Sequence, residues 1–290
     1  MKADYLKSIK SLPSFNCFNL SKFFGYSILV LIAVSMLYPF FAMINLSFIQ
    51  NAEIFTDTGK IIRTGFTLEN YKGVFSSIPL STYFLNSLIV AVITTIGQVL
   101  FAALAGYAFA RLQFKGRDLI FLIVLITMLV PPQVNIVPLF FLMRELHLVN
   151  TYQALILPAL FGGFGVFLMR QYFLTLPKDL EESAKIDGCN LFQTFFKIAL
   201  PLALPTVATL AIFTFVSSWN SFMWPLIITN SESMRTLPVG LAIYKGSFRE
   251  LTQWGELLAC SVICTIPVIL VFLAGKKYFI SDILQGGVKE

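Results

Sequence analysis

Residues Glu181–Pro205 read EESAKIDGCNLFQTFFKIALPLALP, charged at the start, punctuated by Gly188 and apolar at the end. The stretch lies between two apolar runs, Tyr152–Phe173 and Thr206–Thr229, each long enough to cross a bilayer, which takes about 20 mostly apolar residues. Just ahead of it, Pro177 suits a first helical turn. Asp179, Glu181 and Glu182 favour the positive end of a helix dipole, Glu181 and Lys185 are spaced to pair, and Gly188 is placed to close the C-terminus. The pattern predicts a short helix over about Lys178–Asp187. A second helical run would carry Phe192, Phe195, Phe196 and Ala199 on one face near the membrane surface, until Pro201 and Pro205 let the next span begin. Together these form a compact knob. On periodicity alone a solvated loop explains it, so its meaning depends on the chain around it.

That chain is built for lipid. Of its 290 residues 57% are hydrophobic and 12% charged, and the mean hydropathy is +0.80, too apolar for an ordinary soluble domain. Six stretches qualify as spans: Phe23–Leu46, Thr82–Ala110, Leu119–Met143, Tyr152–Phe173, Thr206–Thr229 and Leu257–Tyr278. The first has too long an apolar run for a signal peptide and no small-residue cleavage site after it, so it is read as a retained helix. The expected fold class is an all-α integral membrane protein with six transmembrane helices.

Lysine and arginine set the orientation. With the N-terminus inside, fourteen of the 21 basic residues fall on the cytoplasmic side, including Lys2, Lys22, Arg111, Lys115, Arg117, Lys178, Lys185 and Lys276. Seven fall outside, and most of those sit among acidic residues. Both termini are therefore expected in the cytoplasm. The formal charge of +6 is absorbed by this topology, and nucleic acid is not needed to explain it. Residues 1–22 and 282–290 read as cytoplasmic ends of a transmembrane domain over 23–281. Two outer loops, Ser47–Ser81 and Asn230–Glu256, are long enough to meet a partner.

Chemistry-bearing residues are sparse. Cys17, Cys189, Cys260 and Cys264 have no CxxC spacing and read as small buried hydrophobes, without disulfide or zinc. His147 is the only histidine and falls in a connecting loop, so no histidine metal centre is expected. No charged residue occupies the middle of any span, which disfavours an ion-driven carrier. No G-x-x-x-x-G-K-[ST] loop is present, so any ATP must be hydrolysed by another subunit. An enzyme would need a nucleophile and base or a metal cluster, and neither is visible. Within the spans, Ala102, Gly106 and Ala110 recur every fourth residue and permit close helix approach. Pro131-Pro132, followed by Gln133 and Asn135, predicts a kink or opening that either lines a pathway or simply packs.

Returning to the knob, Glu182-Ser183-Ala184, three residues, Gly188, nine residues and Ile198-Ala199-Leu200-Pro201 resemble the E-A-A-x-x-x-G-x(9)-I-x-L-P signature of binding-protein-dependent ABC importer permeases. Ser183 stands where that family usually has alanine. YAFARLQFKGRDLIF (Tyr107–Phe121), NTYQALILPALFGGFGVFLMRQYF (Asn150–Phe173), SWNSFMWPLI (Ser218–Ile227) and TLPVGL (Thr236–Leu241) are similar to the smaller permease of the carbohydrate-uptake group, of maltose-importer type. The resemblance covers most of the chain after about Tyr83.

It implies a type I ABC importer permease fold in a prokaryotic cytoplasmic membrane, working by alternating access. A second homologous permease, two ATP-binding subunits holding ATP and Mg, and an extracytoplasmic solute-binding protein are the implied partners. It also implies that the short helix, at about 178–188, is a coupling helix docking on the ATPase, with Glu181, Glu182, Ala184, Asp187 and Gly188 as coupling residues. Sugars, especially oligosaccharides, are the implied cargo, with glycerol phosphates as the alternative. Neutral hydrogen-bonding groups and an aromatic face suit a sugar, which makes Gln133, Asn135, Trp219 and Asn220 the pathway candidates, although Trp219 and Asn220 also fit a plain helix junction. The part of the second outer loop around Ser247–Gln253 and Trp254 is expected to contact the binding protein.

Overall fold

The structure is a computed structural model and describes residues 20–50, 54, 66–247 and 253–287. The remainder, including Cys17, most of the basic N-terminal segment and residues 248–252 of the second outer loop, lies outside the described residues.

Three helices are long and apolar enough to span a membrane unaided: α1 (Leu20–Ser47), α3 (Leu80–Arg111) and the last, α14 (Trp254–Gly287). A short helix, α2 (Glu69–Ser77), precedes α3. The other three expected spans are bent. The third is α4 (Arg117–Thr127) and α5 (Ile136–Glu145), with a turn of 3-10 helix at Pro132–Asn135 between them and a bend of 92°. Pro131 and Pro132 lack the N–H groups that would bond back to Thr127 and Met128, so the expected kink becomes a full break.

The fourth is α6 (Tyr152–Ile156) and α7 (Gly163–Thr175), bent by 42° around Leu160–Gly162. After the hairpin helices α8 (Asp179–Ile186), α9 (Leu191–Thr194) and α10 (Leu200–Leu202) comes α11 (Leu204–Trp219). Here the sequence reading needs correction. The fifth span does not continue to Thr229: α11 stops at Trp219, and a separate short helix, α12 (Met223–Ile228), follows. Pro225 cannot donate to Ser221, so a continuous helix would lose a bond there, and the polar run Ser217–Ser221 tolerates the break. The segment joined to α11 is the stretch before it, Leu191–Leu202, at a bend of 77°. The second outer loop contains α13 (Leu237–Ser247).

α3 is the axis of the molecule and packs against α7, α11 and α13. Gly106 lies so close to α7 that a Cβ there would stand 2.7 Å from Met169 Cβ and 2.8 Å from the Arg170 backbone nitrogen. Ala102, on the same stripe, is 1% exposed, so the small residues do set the helix contact. Around this contact Tyr107, Phe173 and Phe195 pack ring on ring at 5.2 to 6.2 Å between centroids, joined by Ala199, Ala203 and Leu210. A second core, with Tyr83, Phe215, Trp219, Leu237 and Cys260, closes the opposite end of α3. α1 touches α14 but shows most of its apolar surface, as a helix bathed in lipid does.

Candidate functional site

Two features carry polar groups that the cores do not consume: the hairpin at the C-terminal end of α3 and a cavity half-way along it.

In the hairpin, α8 is two turns long with Asp179, Glu181 and Glu182 in its first turn and Lys185 in its last. Pro177 lies just before Lys178, the residue that caps the helix, and so outside the first turn. Gly188 ends it with φ +81°, and the amides of Gly188 and Cys189 return to the carbonyls of Lys185 and Ala184 at 3.1 and 2.9 Å. This pair of bonds is a Schellman closure, which needs the left-handed backbone that glycine adopts freely. Asn190 starts α9 with a reciprocal capping box, its side chain accepting from the Gln193 amide while Gln193 accepts from the Asn190 amide. The turn is therefore rigid at both helix ends.

Glu181 does not pair with Lys185 as its spacing suggested. Its carboxylate faces Arg111 Nε at 2.9 Å, both side chains being largely buried, and Arg111 Nη2 also donates to the Leu176 carbonyl at 2.6 Å. Ala184 is buried, whereas Glu182, Asp187 and Gly188 are exposed. The second run is also not one apolar face. Phe195–Ala199 winds as a π turn, which rotates Phe195 and Ala199 into the core and leaves Phe192 and Phe196 outside. Ile186 and Phe192 are 86% and 70% exposed, and Leu180 and Leu191 are also uncovered. The knob thus presents an apolar patch rimmed by Glu182 and Asp187. Isolated apolar residues on a surface mean little, but four uncovered ones on a turn fixed at both helix ends make a candidate interface.

The cavity measures about 520 Å³ and lies between α3, the α4–α5 break, α6 and the α11–α12 break. α3 contributes Ser87, Thr94 and Gln98; the break after Pro131 contributes Gln133 and Asn135; the end of α11 contributes Thr214, Ser217, Ser218 and Ser221. Trp224 and Phe222 add aromatic surface. Trp224 Nε1 donates to the Ala154 carbonyl at 2.9 Å, which fixes the indole plane.

Of the sequence candidates, Gln133 and Asn135 line this cavity. Trp219 does not: it is 2% exposed, stacks on Phe215, and donates from Nε1 to the Cys264 carbonyl at 3.0 Å. Asn220 is an exposed C-terminal cap of α11 and also lies off the cavity. The hydroxyls and Trp224 were missed because their helix breaks were not foreseen; a serine-rich run ahead of a proline was the available signal.

Polar stitching holds the cavity's rim on the side away from the hairpin. Asn150, at φ +63°, accepts from the Asn230 and Ser231 amides at 3.0 Å each, while its own amide bonds to the Ile228 carbonyl. Asn86 donates to the carbonyls of Ser233 and Arg235, and Ser87 Oγ accepts the Leu237 amide. His147 occupies the turn between α5 and α6 with φ +56°. Cys189, Cys260 and Cys264 are free thiols, with Cys260 alone fully buried, and no cluster of three potential metal ligands occurs among the described residues.

Comparison with known proteins agrees with this architecture. An arabinooligosaccharides transport system permease protein of Halalkalibacterium halodurans is 40% identical over 272 residues, 91% of this chain and 94% of that one. A trehalose/maltose transport system permease protein of Thermococcus litoralis is 38% identical over 90% of this chain and 94% of its own length. Among solved structures, a chain of a bacterial ABC transporter involved in the import of the acidic polysaccharide alginate superposes with a TM-score of 0.81, covering 92% of this chain and all of the other at 24% identity. Residues 98–285 fit the family described as binding-protein-dependent transport system inner membrane component, and this chain belongs to that family.

Proposed function

We propose that the chain is one permease subunit of an ATP-driven oligosaccharide importer. It forms the translocation pathway with a second, homologous permease, takes cargo from an extracytoplasmic solute-binding protein, and is driven by two ATP-binding subunits that hold the ATP and Mg. Both termini and the hairpin lie in the cytoplasm, in line with the basic excess on that side. The chain catalyses nothing itself. The cargo class rests on the two relatives named for oligosaccharide and disaccharide transport.

The observation that carries the reading is the hairpin. Its Schellman closure and capping box make it stiff, its Ile186–Phe192 patch is uncovered, and its Glu181 is bound to the axis helix through Arg111. A solvated loop has no use for that combination. A lever does: Glu182, Asp187 and the apolar patch meet the ATPase, while Ala184 and Gly188 hold the helix shape. Closure of the ATPase pair moves the knob, and the helices rock between inward and outward openings.

The test is uptake into proteoliposomes holding this chain, the second permease and the ATPase. Sugar accumulation that requires both ATP and binding protein is expected. Uptake that persists without ATP and follows an ion gradient would instead identify a secondary carrier.

A further inference from the structure

Arg170 stands near the end of α7 that leads into the hairpin, yet it takes no part in the Arg111–Glu181 pair. Its guanidinium carbon lies 4.1 Å from the centre of the Phe121 ring on α4, within the roughly 6 Å at which a cation is attracted to an aromatic face. Its Nε donates to the Phe109 carbonyl of α3 at 3.4 Å, and the Phe109 ring packs on that of Phe121 at 5.5 Å between centroids. One side chain thus meets three helices. An ion pair to α4 does not explain its placement: Asp118, the single acid of that helix, bonds to Arg117 at 3.0 Å.

Phe121 is the only buried residue of α4, while Leu119, Ile120, Leu122, Ile123 and Ile126 are exposed. Within this chain α4 is therefore held at few points. A second point lies two turns away, where Gly163 of α7 comes so close that a Cβ there would stand 2.8 Å from Met128 Cγ and 3.0 Å from the Val124 carbonyl oxygen. Arg170 is seven residues after Gly163 on α7, and Phe121 is seven before Met128, so the two segments run antiparallel and are fastened at both ends. The close approach of Gly106 fixes the Arg170 backbone against α3. A leucine at this position would fill space, but a guanidinium, planar and always charged, adds a hold on the ring face and a donor for the carbonyl.

α7 runs through residues 176–178 into α8, and α4 runs through residues 128–131 into the turn that carries Gln133 and Asn135. We infer that Arg170 is a positioning residue for transport: by holding Phe121 it makes α4 follow α7, so that a movement of the hairpin reaches the break after Pro131 and shifts the wall of the cavity. The inference rests on the importer reading above and adds to it a contact, separate from Arg111, through which the hairpin acts.

The test reads the cavity wall and needs no sugar. In the complete importer, Cys17, Cys189, Cys260 and Cys264 are replaced by serine and Gln133→Cys is added, giving a parent protein with one thiol. Its rate of reaction with N-ethylmaleimide is measured with and without ATP and orthovanadate, and the two rates are expected to differ several-fold. Arg170→Gln and Phe121→Leu lose the charge or the ring at little change in size. Each should reduce the ratio of the rates by about twofold or more, the low end for a lost cation–π contact. Arg170→Lys and Phe121→Tyr, which keep a cation over a ring, should retain most of the ratio. The double variant of Arg170→Gln and Phe121→Leu should fall no further than either single change. Glutamine and leucine variants that keep the parent ratio overturn the inference. So does a loss that the lysine and tyrosine variants share, which marks packing alone, and so do single losses that multiply in the double variant. A parent complex that hydrolyses ATP yet shows equal rates overturns it as well, since the break then ignores the hairpin. A complex that does not hydrolyse ATP overturns the ATP-driven reading itself, and the role of Arg170 falls with it.

Discussion

Arg111, the last residue of α3, and Glu181, in the first turn of α8, face each other at 2.9 Å with side chains 6% and 15% exposed. This relationship joins the protruding helix to the axis helix, whose other end carries the rim contacts of Asn86 and Ser87. Removing one member of a buried pair strands the other charge and costs roughly 3–5 kcal/mol, while removing both is far milder. Arg111→Gln and Glu181→Gln should each lower the thermal midpoint of the purified complex and uncouple ATP hydrolysis from uptake. The double variant should recover most of the stability. Two single losses that simply add would show that the residues do not act as a pair.

Gly188 has no heavy atom within 4 Å of the place a Cβ would occupy, so only its φ of +81° resists substitution. The left-handed region costs a β-branched residue on the order of 1–2 kcal/mol, and asparagine much less. Gly188→Val should redirect the end of α8, so that ATPase binding and sugar-stimulated hydrolysis fall together; Gly188→Asn should retain both. Equal behaviour of the two variants in a pull-down of the ATPase would remove the Schellman closure from the coupling mechanism.

How far the sequence showed this fold depends on the range of the forces involved. Helix spans and the hairpin are governed by local rules, apolar length, caps and glycine, and the α8 turn formed where Gly188 predicted it. Glu181 shows the limit: Lys185 was the nearest partner on the helix surface, yet an arginine 70 residues earlier outcompetes it because burial strengthens the pair. Trp219 shows the same limit. An indole beside an asparagine reads as a sugar platform, but the break at Asn220 turns the ring inward onto Phe215, and the aromatic surface at the cavity comes from Trp224. Neither a helix break nor its direction can be read from periodicity alone.

The α3–α7 contact tolerates no added bulk. At Gly106 a Cβ would press on Met169 Cβ and on backbone atoms of Met169 and Arg170, none of which is a flexible chain end. Overpacking of this kind costs about 1–3 kcal/mol, more as the side chain grows. Gly106→Ala should lower the yield of folded permease in membranes, and Gly106→Leu should abolish it. A Gly106→Leu protein with a normal melting profile would mean that α3 and α7 separate without cost.

Orientation is tested independently of activity. With Cys17, Cys189, Cys260 and Cys264 replaced by serine, a single new cysteine at Lys178 should react with a membrane-impermeant maleimide only after the cells are permeabilised. One at Asn230 should react in intact cells. The opposite pattern would invert the topology.

The last prediction concerns the end of the molecule away from the hairpin. Glu256, at the start of α14 and 7% exposed, accepts the Tyr244 hydroxyl of α13 and the Ser77 hydroxyl of α2, so a single carboxylate holds three elements together. Burial, and then the hydrogen bond and charge of Glu256, raise the Tyr244 pKa above the ordinary phenol value of 10.0. The folded state therefore keeps the phenol protonated, and the stability it contributes is complete below pH 10 and is lost as pH rises further. Glu256→Ala removes the shared acceptor and should release α13, which carries the rim of the cavity through Leu237 and Ser87. Amide hydrogen exchange across Leu237–Ser247 should accelerate by about tenfold or more, the equivalent of a charge-assisted hydrogen bond. Tyr244→Phe should accelerate it less, and Tyr244→Phe combined with Glu256→Ala no more than Glu256→Ala alone. Exchange that stays at the wild-type rate in the alanine variant would show that α13 is held by its apolar contacts with α3, and that the carboxylate is not the latch.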